Sequence, residues 1–282
     1  MAVDADHAQA GQAGSVLGVL GRELPLLPGA ALHRALKQRD IRLNGLRVSS
    51  NVQVRLGDEL VVFTSVPMQE VPVVYEDADC LVVNKPAGLN TDDNASSHAS
   101  LISWAHARAQ GGTAPCLVHR LDNRTCGLVI LAQNPQAQDA LAEVFRHGGV
   151  DREYTALVLG RPQPSASILT AWLVKDAAAA RVKIYDRERP GSRRIVTEYD
   201  TLAPGKVSRL RITLHTGRTH QIRAHMAFAG TPVLGDDAYG DRTANRAQCA
   251  RGLKLCASAL GFRDDCPLIG LRGRRFEIDA PF

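Results

Sequence analysis

HRLDNRTCGLVILA, residues 119–132, sets a crowd of polar side chains directly in front of an apolar run. Leu128, Val129, Ile130 and Leu131 read as a buried strand, and His119, Arg120, Asp122, Asn123, Arg124 and Thr125 fill the loop that feeds it. A rigid strand can hold such a loop at the rim of a cleft, the usual way a scaffold presents chemistry. Asp122 lies between two arginines. A carboxylate so placed is either half of a surface ion pair or a group kept ionised for a reaction.

Outward from this stretch the chain alternates strands and helices irregularly. Upstream, VPVVYEDADCLVVNKPAG reads as two strands around an Asp/Glu turn, and Leu101 to Gln110 as a helix. Downstream come a helix over Pro135 to Phe145, then strands at REYTALVLG, ARVKIYD, IVTEYDTL and SRLRITL. A helix across Thr219 to Phe228 and a last strand near RRFEID complete the pattern. Several strands follow one another with helices between only some of them. This predicts an α+β domain over residues 73–282, with a mixed, largely antiparallel sheet flanked by helices.

Residues 15–66 have their own grammar and predict a separate small α/β domain. A helical pattern places Leu32, Ala35 and Leu36 at i, i+3, i+4, and Asn44-Gly45 between two short apolar runs marks a hairpin whose turn needs positive φ twice. VQVRLGDELVVF then reads as a strand broken at Gly57-Asp58. Between His33 and Arg47 the basic residues Arg34, Lys37, Arg39, Arg42 and Arg47 are opposed by Asp40 alone, a local basic patch. Residues 67–72, with Pro67 and Pro72, read as an extended linker. Residues 1–14, rich in Ala, Gly, Gln and Asp without periodicity, read as a disordered tail.

Composition bounds the function. The chain has 282 residues, 34 basic against 29 acidic, a formal charge of +5 that permits an anionic partner without demanding one. The six cysteines show no spacing expected of structural zinc and read as free thiols of a reducing, cytoplasmic compartment. No apolar run approaches a membrane span, so no membrane partner is expected. His215, His220 and His225 fall five residues apart, off the i, i+4 spacing of a helical metal site, and no metal is expected there.

HRLDNRTCGL resembles the HRLDxxTSGL signature of the RluA-type pseudouridine synthases. NKPAGL at 84–89, REYTALVLG at 152–160, LHTGRTHQIRAH at 214–225 and PVLGDDAYG at 232–240 are similar, in order, to the family's other motifs. The small basic module resembles the RNA-binding domain first described in a small-subunit ribosomal protein, a frequent companion of this family. The resemblance implies an isomerase that turns uridine into pseudouridine in structured RNA. Such an enzyme breaks the bond from ribose carbon 1′ to uracil nitrogen 1, turns the base and rejoins it through carbon 5. No hydride or electron leaves, so no cofactor is implied.

Residue by residue, the resemblance makes Asp122 the catalytic carboxylate. It makes Tyr154 the ring against the flipped uracil and a candidate base for the carbon 5 proton, and Arg223 the partner that holds Asp122 ionised. Arg120 would fill the gap left by the extruded base. Attack on the sugar, attack on the base and removal of the 2′ proton all remain open for Asp122. Cys126 replaces the usual serine, and KLCASALGFRDDCP carries Cys256 and Cys266 where the family has histidines. Large-subunit ribosomal RNA is the favoured partner, with transfer RNA the alternative and a monomer sufficient. A nucleosidase would normally need a second acid and would release free uracil, and a non-catalytic ribosome-assembly factor would need no Asp122 at all.

Overall fold

The computed structural model describes residues 4–24, 26–65, 70–93, 100–109, 112–176 and 181–282. Two compact units emerge: residues 1–123 with 130–138, and residues 124–129 with 139–282. The division falls inside a strand, because strand pairing, not chain order, decides which residues cohere. Residues 66–69 of the expected linker lie outside the described residues.

The first unit opens with β1 (Asp4–Gln9), β2 (Gly14–Ser15), α1 (Val16–Glu23) and α2 (Gly29–Gln38). Then come β3 (Ile41–Leu43), β4 (Leu46–Val48), β5 (Gln53–Val54) and β6 (Glu59–Thr64). Strand β1 corrects the expectation of a disordered tail at 1–14, since it pairs antiparallel with β6 over its whole length and buries Ala8, with Ala10 just beyond. The pairing partner is supplied by tertiary structure, so local composition does not announce it. A sheet in the order β1-β6-β3-β4 and the two helices enclose Val16, Val19, Leu20, Leu27, Leu32, Ile41, Leu60 and Val62. The hairpin turns at Asn44 and Gly45 with φ of 49° and 82°, as the Asn-Gly pair requires. Asn44 Oδ1 accepts from the Glu59 amide at 2.9 Å, fastening the turn to β6.

The same unit continues through β7 (Val73–Glu76), β8 (Cys80–Lys85), α3 (Leu101–Arg108) and β9 (Cys116–Leu117). Strands β7 and β8 are antiparallel around a turn in which Asp77 Oδ1 accepts from the Asp79 and Cys80 amides, both at 2.8 Å. Ser100 caps α3 reciprocally with Ser103. Strand β10 (Cys126–Ala132), buried throughout, ends beside β9 and β8, and α4 (Pro135–Arg146) follows it.

The second unit holds β11 (Val150–Leu159), β12 (Ala166–Asp176), β13 (Arg181–Tyr185), β14 (Arg193–Ala203) and β15 (Val207–Leu214). After these come α5 (Gln221–Phe228), α6 (Arg242–Ala247), β16 (Leu255–Phe262) and β17 (Arg275–Glu277). Its strands run β13-β12-β14-β15-β11-β16, every neighbour antiparallel, and the start of β10 joins β16 in parallel. The sheet is thus mixed and largely antiparallel, and α5 lies on β13 and β14 with Ala224 among Ala171, Leu173, Val182 and Ile195. Strands β12 and β16 have no counterpart among the expected elements. Strand β12 buries only part of one face and β16 is rich in small residues, so neither shows a strong alternation.

Candidate active site

The loop before β10 belongs to the first unit up to Asn123 and is held on both sides of Asp122. Thr91, buried, accepts from the Leu121 amide at 3.1 Å and donates its hydroxyl to the Leu121 carbonyl at 2.7 Å. On the other side the Asn123 side chain donates to the Gly88 carbonyl at 2.9 Å and to Asn90 Oδ1 at 2.7 Å, while the Asn123 backbone carbonyl accepts from the Gly88 amide at 2.7 Å. Lys85, fully buried, donates to the carbonyls of Pro86, Leu89 and Asn123 at 3.0, 2.8 and 3.3 Å. An ammonium has three donors and no acceptor, and these carbonyls fit them. The NKPAG turn therefore braces the backbone beside Asp122. His119 adds a further tie, its Nε2 lying 3.1 Å from the Ile130 amide that donates to it.

Asp122 itself is partly exposed. Arg120 is largely exposed and stands 3.8 Å from Asp92, too loosely paired to be immobilised by it.

In the second unit the root of β10 approaches β16 so closely that a Cβ on Gly127 would sit 2.3 Å from the Ala257 carbonyl oxygen. Only glycine fits there, at φ +118°. The neighbouring pair in the register is Cys126 and Cys256, so two of the three departures from the family pattern meet across adjacent strands. Cys126 Sγ donates to the Leu255 carbonyl at 3.7 Å, and a hydrogen bond to Cys126 together with burial pushes the Cys256 thiol pKa up. The third, Cys266, is buried elsewhere.

Tyr154 sits in the middle of β11, buried, between Ile212 on β15 and Ala257 on β16. The β11–β16 register shifts between Glu153 and Tyr154, skipping Ser258. Such a bulge re-aims side chains and is common beside active sites.

Arg223 is buried on α5 and gives a two-pronged hydrogen bond to Asp236, Nε to Oδ2 at 2.7 Å and Nη2 to Oδ1 at 3.0 Å. Its guanidinium lies 5.3 Å from the Tyr239 ring centre. Burial works against the Asp236 carboxylate, but the Arg223 hydrogen bond and charge and the amides of Ala238 and Tyr239 outweigh it and hold its pKa low. Asp236 was not a sequence candidate; the GDDAYG segment is visible as a motif, but nothing in its spacing points to Arg223. The start of α5 is fixed by Gln221, which donates to the Val196 carbonyl at 3.1 Å and to Thr197 Oγ1 at 3.0 Å. The three spaced histidines go separate ways: His215 to Glu198, His220 to the Tyr239 hydroxyl, and His225 to Thr197. Among the described residues no three His, Cys, Asp or Glu side chains gather as metal ligands would.

The basic candidates of the small module, Arg34, Lys37, Arg39, Arg42 and Arg47, are all exposed. They follow one another along α2, its left-handed cap at Arg39 and the β3–β4 hairpin.

The family signature of RNA pseudouridylate synthases matches residues 79–228, a span that contains the Asp122 loop, Tyr154 and Arg223. The chain belongs to the RNA pseudouridylate synthase family. It is 30% identical over 290 residues to ribosomal large subunit pseudouridine synthase C of Escherichia coli, covering 93% of this chain and 88% of that one. The Vibrio cholerae protein of the same name is 28% identical over 260 residues, covering 85% and 80%. Among solved structures, human RNA pseudouridylate synthase domain containing 1 superposes with a TM-score of 0.60 at 25% identity, over 76% of this chain and 84% of that one. As a member of this family the chain is an isomerase that converts uridine to pseudouridine in RNA. Among the described residues no helix is long and apolar enough to cross a membrane.

Proposed function

We propose that this chain modifies one or a few uridines of large-subunit ribosomal RNA in the cytoplasm, with Asp122 as the catalytic carboxylate. The observation that carries the assignment of Asp122 is the bracing around it: both flanking residues are hydrogen-bonded through backbone and a buried lysine, and Asp122 between them is partly exposed. Catalytic groups gain from such preorganisation, because a carboxylate held in place spends no free energy on ordering when the substrate arrives. The names of the bacterial relatives support the choice of ribosomal RNA.

The reaction must cleave the bond between carbon 1′ and nitrogen 1, rotate the uracil, form the bond from carbon 1′ to carbon 5, take the carbon 5 proton onto a base and leave a proton on nitrogen 1. The product has the composition of the substrate. Asp122 starts this sequence by attacking sugar or base or by taking the 2′ proton. Tyr154, a ring with a hydroxyl in the family's uracil-facing motif, stacks on the base and takes the carbon 5 proton. Arg223 keeps the site's carboxylate ionised, a role suited to a guanidinium that is buried and cannot lose its proton. Arg120, exposed and loosely paired, enters the stack where the uridine has left. Helix α2 with its cap and the β3–β4 hairpin carry Arg34, Lys37, Arg39, Arg42 and Arg47 to the RNA.

Pseudouridine mapping of total RNA from cells with and without the gene tests the substrate. Loss of sites confined to large-subunit RNA is expected; loss confined to transfer RNA would replace the ribosomal reading. Release of free uracil by the purified protein would instead make it a nucleosidase.

A further inference from the structure

On the small module, the outer face of the β1-β6-β3-β4 sheet carries an unusual combination. Val62 and Leu60 of β6 point into the core, so Val61 and Phe63 point away from it. Phe63 is half-buried on that outer face. The Arg42 guanidinium lies over its ring, 5.1 Å from the centre. Directly opposite Arg42 in the hairpin register stands Arg47, a like-charged cross-strand pair that repels itself. Arg39, at φ 60° in the left-handed cap of α2, closes an open hollow whose lining is Arg39, Asp40, Arg42, Arg47 and Phe63. Among the described residues none of these three arginines is in an ion pair, and Asp40 is the one carboxylate in the lining. Charge repulsion concentrated around one aromatic ring is stable only at a cost, which an anionic ligand with a flat face would offset.

We propose that this hollow binds a single unpaired nucleotide of the RNA. The base lies on the free face of the Arg42 guanidinium, whose other face rests on Phe63, while Arg47 and Arg39 meet the flanking phosphates. A planar guanidinium backed by an aromatic ring is a stacking platform for any base, whereas phosphates alone would need neither Phe63 nor a planar cation at 42. The proposal rests on the reading of this chain as an enzyme of structured RNA, and it adds that the module selects an unstacked nucleotide near the target rather than duplex backbone.

The test uses the full-length protein and two RNA duplexes of equal length, one with a bulged adenosine, a base the isomerisation site does not convert, and one fully paired. Stacking of one base predicts that the wild type binds the bulged RNA on the order of tenfold more tightly. Phe63→Leu and Arg42→Lys, which keep apolar bulk and charge respectively, remove that preference without changing the salt dependence of binding to the paired duplex. Phe63→Tyr keeps the preference, so a folding defect in Phe63→Leu still leaves Arg42→Lys and Phe63→Tyr to decide. Arg47→Gln lowers the salt slope for both RNAs and keeps the preference. Equal wild-type affinities for the two RNAs, or a preference that survives Arg42→Lys, overturns the proposal and leaves a phosphate-only surface. Failure of the catalytic reading would show separately, as absent pseudouridine with the bulge preference intact.

Discussion

His225 shows how a single buried group sets a pH limit on this protein. It is buried against Thr197, and burial lowers its pKa from 6.5 to about 4. The folded state therefore holds it neutral while the unfolded chain takes up a proton below about pH 6.5. The resulting penalty on folding is absent above that pH and grows as pH drops from about 6.5 to about 4, to on the order of 3 kcal/mol. Urea unfolding of wild type and His225→Gln across that window should show a steeper acid loss in the wild type. Parallel curves would mean that His225 does not carry it. At the same scale, Asp122 was legible as a candidate because it sits inside a dense polar motif, whereas the tie between Asp236 and Arg223 was not. A bidentate partner 13 positions beyond Arg223 in a turn is a three-dimensional fact, and so is the burial of Lys85 behind the Asp122 loop.

At the scale of elements, the root of β10 is a tight joint. The Ala257 backbone occupies the place where a Cβ on Gly127 would stand, so Gly127→Ala must move β10 or β16 and should cost about 3 kcal/mol. Gly148, also at positive φ but with nothing within 4 Å of its Cβ position, is the control and should lose only about 1 kcal/mol on the same change. Thermal unfolding of the two variants compares them, and equal losses would deny that close approach matters at Gly127. The Asn44-Gly45 hairpin and the strand of the HRLD motif were legible because turn chemistry and apolar runs act locally. Strand β1 was not, because its alanines and polar residues become a strand only through β6.

Across the whole molecule, each compact unit holds candidates that its own contacts position. In the first, Asp122 is braced by Thr91, Asn123 and Lys85; in the second, Tyr154 lies beside a bulge and Arg223 is locked to Asp236. The mixed, largely antiparallel sheet was legible from the succession of strands, and the family from five ordered motifs. The place where the chain divides was not, because a strand shared by both units looks in sequence like any other strand. The most direct test of the account is pseudouridine formation by purified wild type and Asp122→Ala on large-subunit RNA transcript, with binding measured in parallel. The account predicts that Asp122→Ala binds the RNA within a few-fold of the wild type and forms no pseudouridine; pseudouridine formed by the variant at a comparable rate would contradict it.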